Sequence, residues 1–359
     1  MKKDTLLLIV MILILVLSAC TKPISQPVEP PATPAGSTET AAPAETEPAQ
    51  QQELTTVKIN YGPQLSFAPI FFADVEGYFT EFGIKIEMVE LNRSTAAVPL
   101  LVSGDLDAYA GTINAGFLNT LYLEPNIRIV ADRGRVSATM DCTNQGFVVR
   151  KDLYESGAVR GPEDLKGLKM VVSAANPSAY LAAAYLQQAG LTFADIEETD
   201  IPSTAYLDAM AGGNVDAIST VEPTLSRLIA AGNSVLLATM EDVVGDFQTS
   251  VLAFGKKLLV DDPDLGARFL AAYMKGVAKY NEGKTEHNLQ VLAEKTGLDI
   301  EEIRNSCWLP ISEDGIPQYD SIVPFMDWAV RENFLEHAIT EDQFWTPDPL
   351  EKALQLLKE

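Results

Sequence analysis

Few residue types in this 359-residue chain could do covalent chemistry, since it has three cysteines and two histidines. Cys20, Cys142 and Cys307 are scattered, and so are His287 and His337, so none of them has metal-ligand spacing. No histidine stands near a strand-end serine, which leaves out a Ser/His nucleophile. Neither an enzyme nor a cofactor is expected. The remaining candidates bind rather than react. Ser66, Phe67, Asn92, Thr112 and Asn114 form one set, and Ser173, Asn176, Ser178, Tyr180 and Glu222 form another. Phe67 has two open readings, stacking on a flat ligand or stapling the helix that follows it. Asn92, Ser94 and Thr95 suit helix capping. The same helix start, with Arg93, also suits an anion. Ser173, Asn176 and Ser178 can donate from a stretch of small residues that lets a ligand approach the backbone. Glu222 would attract an amine or heterocycle N–H and repel a sulfonate or nitrate. It also fits a plain helix start, favoured by the helix dipole.

These residues need elements to hold them, and the chain supplies strands alternating with helices. Val57–Gly62 alternates as a strand, and Pro69–Phe82 reads as one helix stopped by Gly83. Ile84–Leu91 is a second strand, followed by a helix from Ser94 to Val102. Asp107–Thr112 is a strand, Ala115–Leu121 a helix and Ile127–Ala131 a strand. The same order returns about 110 residues later, from Lys169–Ser173 to Ser234–Ala238. Gly104-Asp105-Leu106-Asp107-Ala108 matches Gly213-Asn214-Val215-Asp216-Ala217. In both, a helix ends on glycine and turns into a strand. Such alternation implies two α/β lobes with helix-covered parallel sheets. Ligands in such sheets sit beyond the carboxyl ends of the strands, where the candidate residues fall. The chain is expected to cross between lobes near Gly146–Val149 and Val251–Phe254, and the tail from Pro263 to return to the first lobe. The expected bounds are 57–147 plus 252–359 for lobe I and 148–251 for lobe II.

The N-terminus carries a different message. Lys2 and Lys3 precede an unbroken apolar run, Leu6–Leu17. The run is too short to span a membrane, which takes roughly 20 apolar residues, but it suits a signal-peptide core. Leu17-Ser18-Ala19-Cys20 then resembles the lipobox of bacterial lipoproteins. Residues 1–19 are read as a signal peptide and Cys20 as the lipidated residue that anchors the chain to a membrane. Residues 21–56 hold seven prolines amid Ala, Thr and Glu, a composition that cannot offset the entropy of ordering. Together with Cys20 they make a linker (20–56) that would reach on the order of 100 Å if extended. The formal net charge is −24, which argues against nucleic acid and against adsorption on anionic lipid. Cys142 and Cys307 could pair in an exported protein. Two separate thiols fit the sequence equally well.

Ser66-Phe67-Ala68-Pro69-Ile70-Phe71-Phe72-Ala73, then Glu76-Gly77-Tyr78-Phe79 and Gly83-Ile84, resembles the opening of one group of ABC-transporter solute-binding proteins. That group takes up sulfonates, nitrate and thiamine-pyrimidine precursors. Ser103–Ala108, Asp164–Lys169, Gly190-Leu191, Val215-Asp216-Ala217 and Glu222-Pro223 continue the pattern in order. The resemblance implies a type II periplasmic-binding-protein fold, a two-lobed clamshell of mainly parallel sheets flanked by helices. It implies an ABC permease and its ATPase as partners, a small-molecule ligand and a monomer outside the cytoplasm. In the family the loop matching Ser173–Tyr180 commonly faces ligand. Phe67, Tyr180 and Glu222 favour a heteroaromatic vitamin or precursor, such as a thiamine pyrimidine or riboflavin. The alternatives are an alkanesulfonate or nitrate binder and a sensor without a transport role. Relatives that make the thiamine pyrimidine use a cysteine-rich motif and a sacrificial histidine, which this body lacks. The anchor has a direct test. Metabolic labelling with a fatty acid is expected to mark the wild-type chain and not the Cys20→Ala variant, and label retained by the variant would end that reading.

Overall fold

The computed structural model describes residues 53–91, 96–172 and 175–359. Cys20, Asn92 and Ser173 lie outside the described residues. Ten strands form two five-stranded sheets. They are β1 (Thr55–Tyr61), β2 (Ile84–Glu90), β3 (Ala108–Thr112), β4 (Arg128–Val136), β5 (Gln145–Arg150), β6 (Lys169–Val171), β7 (Glu197–Thr199), β8 (Ala217–Val221), β9 (Ser234–Thr239) and β10 (Phe247–Phe254). The first sheet runs β2-β1-β3-β10-β4 and the second β7-β6-β8-β5-β9. The two orders are the same, with β10 and β5 in matching places. β1 is parallel to β2 and β3, while β10 is antiparallel to β3 and β4. In the second sheet β6 is parallel to β7 and β8, and β5 is antiparallel to β8 and β9. Each sheet is therefore mixed, with four strands running one way and one against them.

The reversed strand of each sheet belongs in sequence beside the other sheet. The chain leaves the first sheet after Val136 and enters the second at Gln145, then returns between Thr239 and Phe247. Gly146–Val149 and Val251–Phe254 are accordingly inner strands, not crossings. Their unbroken apolar character comes from burial on both faces, not from passage between layers.

The short sequence repeat has a structural counterpart. Asp107 accepts from the Lys58 backbone N–H at 2.8 Å and returns its own N–H to the Lys58 carbonyl at 2.9 Å. Asp216 does the same with Lys169, at 2.9 and 2.7 Å. In both sheets an aspartate thus pins the start of the third strand to the first. Gly104 and Gly213 adopt positive φ (82° and 67°) in the turns before them, which glycine does without a Cβ penalty.

Helices cover the sheets. Pro69–Phe82 is not one helix: Ala68–Val75 and Tyr78–Glu81 are separated by Gly77, whose φ of 75° ends the first. The long helix Pro263–Asn281 packs its buried Phe269, Leu270, Tyr273 and Val277 with Ile70, Phe71 and Phe72 of Ala68–Val75. Gly276 permits that approach, since a Cβ there would lie 2.0 Å from the Pro69 carbonyl oxygen. A second core combines Tyr109, Ile113, Phe117 and Phe247 of the first sheet unit with Phe147, Ala179 and Tyr185 of the second.

Cys142 and Cys307, 165 positions apart in sequence, form a disulfide with Cα atoms 5.5 Å apart. It fastens the first crossing to the C-terminal tail. The double variant Cys142→Ser/Cys307→Ser is expected to lose about 2–5 kcal/mol of unfolding free energy, because a long loop is no longer closed in the unfolded chain. The loss is read from the urea midpoint, and a midpoint that stays put would show that the tie adds nothing.

Candidate functional site

The carboxyl-end rims of the two sheets meet. The helix after β3 starts at Ala115, and its N–H donates to the Ala175 carbonyl, just before the helix Pro177–Gln188 that follows β6, at 3.1 Å. Thr112, Asn114, Asn176, Ser178 and Tyr180 are thereby gathered at one junction. Their side chains have different employments. Asn114 caps its helix: its Oδ1 accepts from the Phe117 N–H at 3.0 Å, and its Nδ2 donates to the Thr112 carbonyl at 3.0 Å. Asn176 caps the facing helix by accepting from the Ala179 N–H at 2.9 Å. Thr112 and Ser178 are half-buried at the junction. Tyr180 packs with Phe247, Phe325 and Trp328, at ring-centroid separations of 5.9, 5.5 and 5.4 Å. It thus joins the second sheet's helix to β10 and to the tail helix Val323–Arg331.

Ser66 and Phe67 are organised by an arginine. Arg133 on β4 is 1% exposed. Its Nη1 donates to the Ser66 carbonyl at 2.6 Å and its Nε to the Val251 carbonyl at 3.3 Å. Its guanidinium lies 4.6 Å from the centre of the buried Phe67 ring, a cation–π contact. Burial lowers the Arg133 pKa to about 10, so it stays charged at neutral pH. Among the described residues no carboxylate pairs with it.

Glu222 sits apart from the junction. It precedes a cis peptide to Pro223 and accepts from the Ser226 hydroxyl at 2.6 Å and the Ser226 N–H at 3.3 Å. Burial raises its carboxyl above the usual range, with Glu302 adding to the rise and Ser226 opposing it. Its ionised form therefore costs stability above the raised pKa, and that cost is relieved as the pH falls from the raised pKa to the ordinary carboxylate value. Its backbone N–H donates to Asn144, whose side chain donates to the Cys307 carbonyl at 3.3 Å. This places Glu222 beside the crossing and the tail.

Three further side chains at the second sheet's rim leave buried polar atoms without partners. Gln145 opens β5, and among the described residues neither its Oε1 nor its Nε2 is bonded; the Ser219 hydroxyl on β8 and one carboxyl oxygen of Glu241 are in the same position. Glu241 follows β9, and its other oxygen accepts from Thr143 at 2.6 Å. An unmade bond at each such atom costs about 1–3 kcal/mol. The sequence carried a faint signal: Gln145 is a long amide directly ahead of an apolar strand, and Ser219 a small polar residue inside one.

Residues 64–283, more than half of the chain, match the family described as NMT1/THI5 like. The chain belongs to the NMT1/THI5-like family. The riboflavin-binding protein RibY of Chloroflexus aurantiacus is 25% identical over 282 residues, spanning 77% of this chain and 74% of that protein. In fold the chain is similar to the periplasmic aliphatic sulphonate binding protein SsuA of Escherichia coli, with a TM-score of 0.65 at 18% identity, covering 81% of this chain and 92% of SsuA. It is also similar in fold to the desulfurization enzyme DSZB, with a TM-score of 0.61 at 17% identity, covering 84% and 99%. The fold is thus the two-sheet, open α/β architecture of periplasmic binding proteins. It is shared by binders and at least one enzyme.

His287 bonds to Glu76 and His337 packs on Tyr122, at 5.2 Å between ring centres. Both are engaged away from the rim junction. No cluster of metal-ligating side chains occurs among the described residues. Two surface cavities of about 340 Å³ each lie elsewhere, one lined by Arg128, Asp342 and Lys352 and the other by Tyr61, Met88 and Lys295. Neither is lined by the residues gathered at the rim junction. The cap at Asn114 yields a prediction. Asn114→Ala is expected to cost about 1 kcal/mol in urea denaturation, and Asn114→Ser, which keeps an acceptor, to recover most of it; equal losses in the two variants would deny the cap.

Proposed function

We propose that this chain is an extracytoplasmic solute-binding lipoprotein that hands a small heteroaromatic molecule, of the vitamin or vitamin-precursor class, to an ABC importer. The observation that carries this reading is the meeting of two like-built rims, with unpaired buried polar atoms among apolar walls. Family membership and the likeness to RibY support it. Two lobes would open about the crossings at 137–144 and 240–246 and close on the solute. Cys20 would carry the lipid and the residues from 21 up to the start of β1 at Thr55 would serve as the tether. Thr112, Asn176, Ser178 and Tyr180 would border the closed site, with Asn92 and Ser173 contributed by neighbouring loops. The body would act as a monomer with a permease and its ATPase as partners. Among the described residues no helix is long and apolar enough to cross a membrane, so the lipid would be the attachment. The reading is of a binder, not a catalyst: the histidines are engaged elsewhere and both body cysteines are in a disulfide. A sensor without a transport role would use the same site, and solute uptake in cells deleted for the chain separates the two.

One observation favours an anion instead. Arg133 is a buried cation with no carboxylate partner among the described residues, beside the rim loop at Ser66. A sulfonate or nitrate would suit it. Thermal unfolding in the presence of riboflavin, the thiamine pyrimidine, octanesulfonate and nitrate decides between these classes. A true ligand at 100 times its Kd adds about 2.7 kcal/mol. Riboflavin or the pyrimidine is expected to raise the melting temperature, and a shift with the anions alone would reverse the choice.

A further inference from the structure

We propose that Gln145 and Ser219 form the edge that recognises the ligand, and that this ligand is a flat heterocycle presenting a hydrogen-bond donor and an acceptor side by side, as an imide or an aminopyrimidine does. This rests on the solute-binding reading above and names the chemistry of that site.

Gln145 is 1% exposed and Ser219 6%, and among the described residues neither side chain has a partner for its polar atoms. The strand register puts them together. Gln145 pairs with Val221 and Phe147 with Ser219, so Gln145 and Ser219 share a sheet face one diagonal apart, at about 7–8 Å. Val221 beside them is exposed, which makes this the open end of the face. Phe147 lies next along it, its ring 5.4 Å from that of Tyr185, and supplies an apolar floor.

The first sheet shows what the fold does with a glutamine it keeps for itself. Gln248 near the start of β10 donates through Nε2 to Asp132, Gly134 and Ser250 and accepts through Oε1 from the Gln318 N–H. Every polar site on that amide is occupied. Gln145, at the start of the matching strand, has none occupied.

A carboxamide offers one donor and one acceptor on neighbouring atoms. Its full complement is a group with the same pair reversed, N–H beside C=O or beside a ring nitrogen. The Ser219 hydroxyl then serves a second ring heteroatom. A sulfonate or nitrate presents acceptors only. It would satisfy Nε2 and leave Oε1 facing oxygen, with the Glu241 carboxyl at the adjacent strand end opposing its charge.

The test is a fluorescence titration of the full mature chain with riboflavin and with 3-methylriboflavin, whose ring N3 can no longer donate. Wild type is expected to bind riboflavin at least about tenfold tighter than the methylated probe. Gln145→Leu is expected to weaken riboflavin by about tenfold or more, to remove the preference and to leave the ligand-free melting temperature unchanged or higher. Gln145→Leu that keeps its riboflavin affinity and its preference overturns the assignment while the solute-binding reading stands. Wild type that binds octanesulfonate and neither riboflavin nor the thiamine pyrimidine overturns both. Should Gln145→Leu not fold, Ser219→Ala decides: an affinity loss of severalfold with unchanged melting supports the edge, and unchanged affinity overturns it.

Discussion

A single buried carboxylate, Asp132, holds three distant parts of the chain in register. Its Oδ1 accepts from the Gly134 N–H at 2.7 Å and from Gln248 Nε2 at 2.7 Å. Its Oδ2 accepts from the Ser312 N–H at 2.8 Å and from Arg135 at 3.2 Å. Its backbone carbonyl takes the Tyr273 hydroxyl at 2.7 Å, and its N–H donates to the Gly315 carbonyl. The end of β4, the start of β10, the long helix and the tail all terminate on this residue. Burial nevertheless raises its carboxyl above the ordinary range, against the pull of those donors. The penalty on the ionised form is full above the raised pKa and vanishes below the ordinary one. What the arrangement supplies is position: a buried charge is tolerated only with every lone pair met, so only one geometry will do. Strand alternation then sends Arg133, the next residue, to the opposite face, where it fixes Ser66 and Phe67.

The first sheet is completed by β10, which the chain reaches only after building the whole second sheet from β5 to β9, so the two sheets are joined by two covalent crossings. The junction between rims adds a backbone hydrogen bond at Ala115 and the aromatic group around Tyr180. The Cys142–Cys307 disulfide and the Arg227–Glu302 ion pair, 2.7 Å across, tie the second sheet's side to the tail. These ties lie close to the crossings, where a rotation displaces atoms least.

The duplicated order of elements was legible because burial and turn chemistry leave periodic marks: Gly104 and Gly213, Asp107 and Asp216 repeat because the same corner is built twice. The split of Pro69–Phe82 at Gly77 was not, since a glycine inside an apolar helix pattern also fits an uninterrupted helix. The reversed strands were misread as crossings because a strand buried on both faces has no alternation to display its direction. The roles of the candidate rim residues depended on side-chain direction. Asn114 and Asn176 are the same residue type at the same kind of strand-to-helix corner as a ligand donor would be, and both are caps. Tyr180 has the shape of a stacking platform and is spent on Phe247, Phe325 and Trp328. Arg133 carries no local pattern and Gln145 only a faint one, because what distinguishes them is the absence or presence of partners brought from elsewhere in the chain.

The balance between Arg133 and Gln145 bears on what the site can hold. Arg133 is charged, yet two of its nitrogens are bonded to carbonyls and its plane is covered by Phe67. Carbonyl dipoles and a π face can carry a guanidinium that keeps its proton, as its pKa of about 10 requires. An anion bound there would have to compete with the Ser66 carbonyl, and so would loosen the loop that shapes the rim. Among the described residues no protein group bonds the polar atoms of Gln145 and Ser219, so a ligand meeting them displaces no protein partner. Selectivity follows from the same asymmetry: a site with an unpaired donor beside an unpaired acceptor gains from a mixed edge and is left half-unsatisfied by a uniform one.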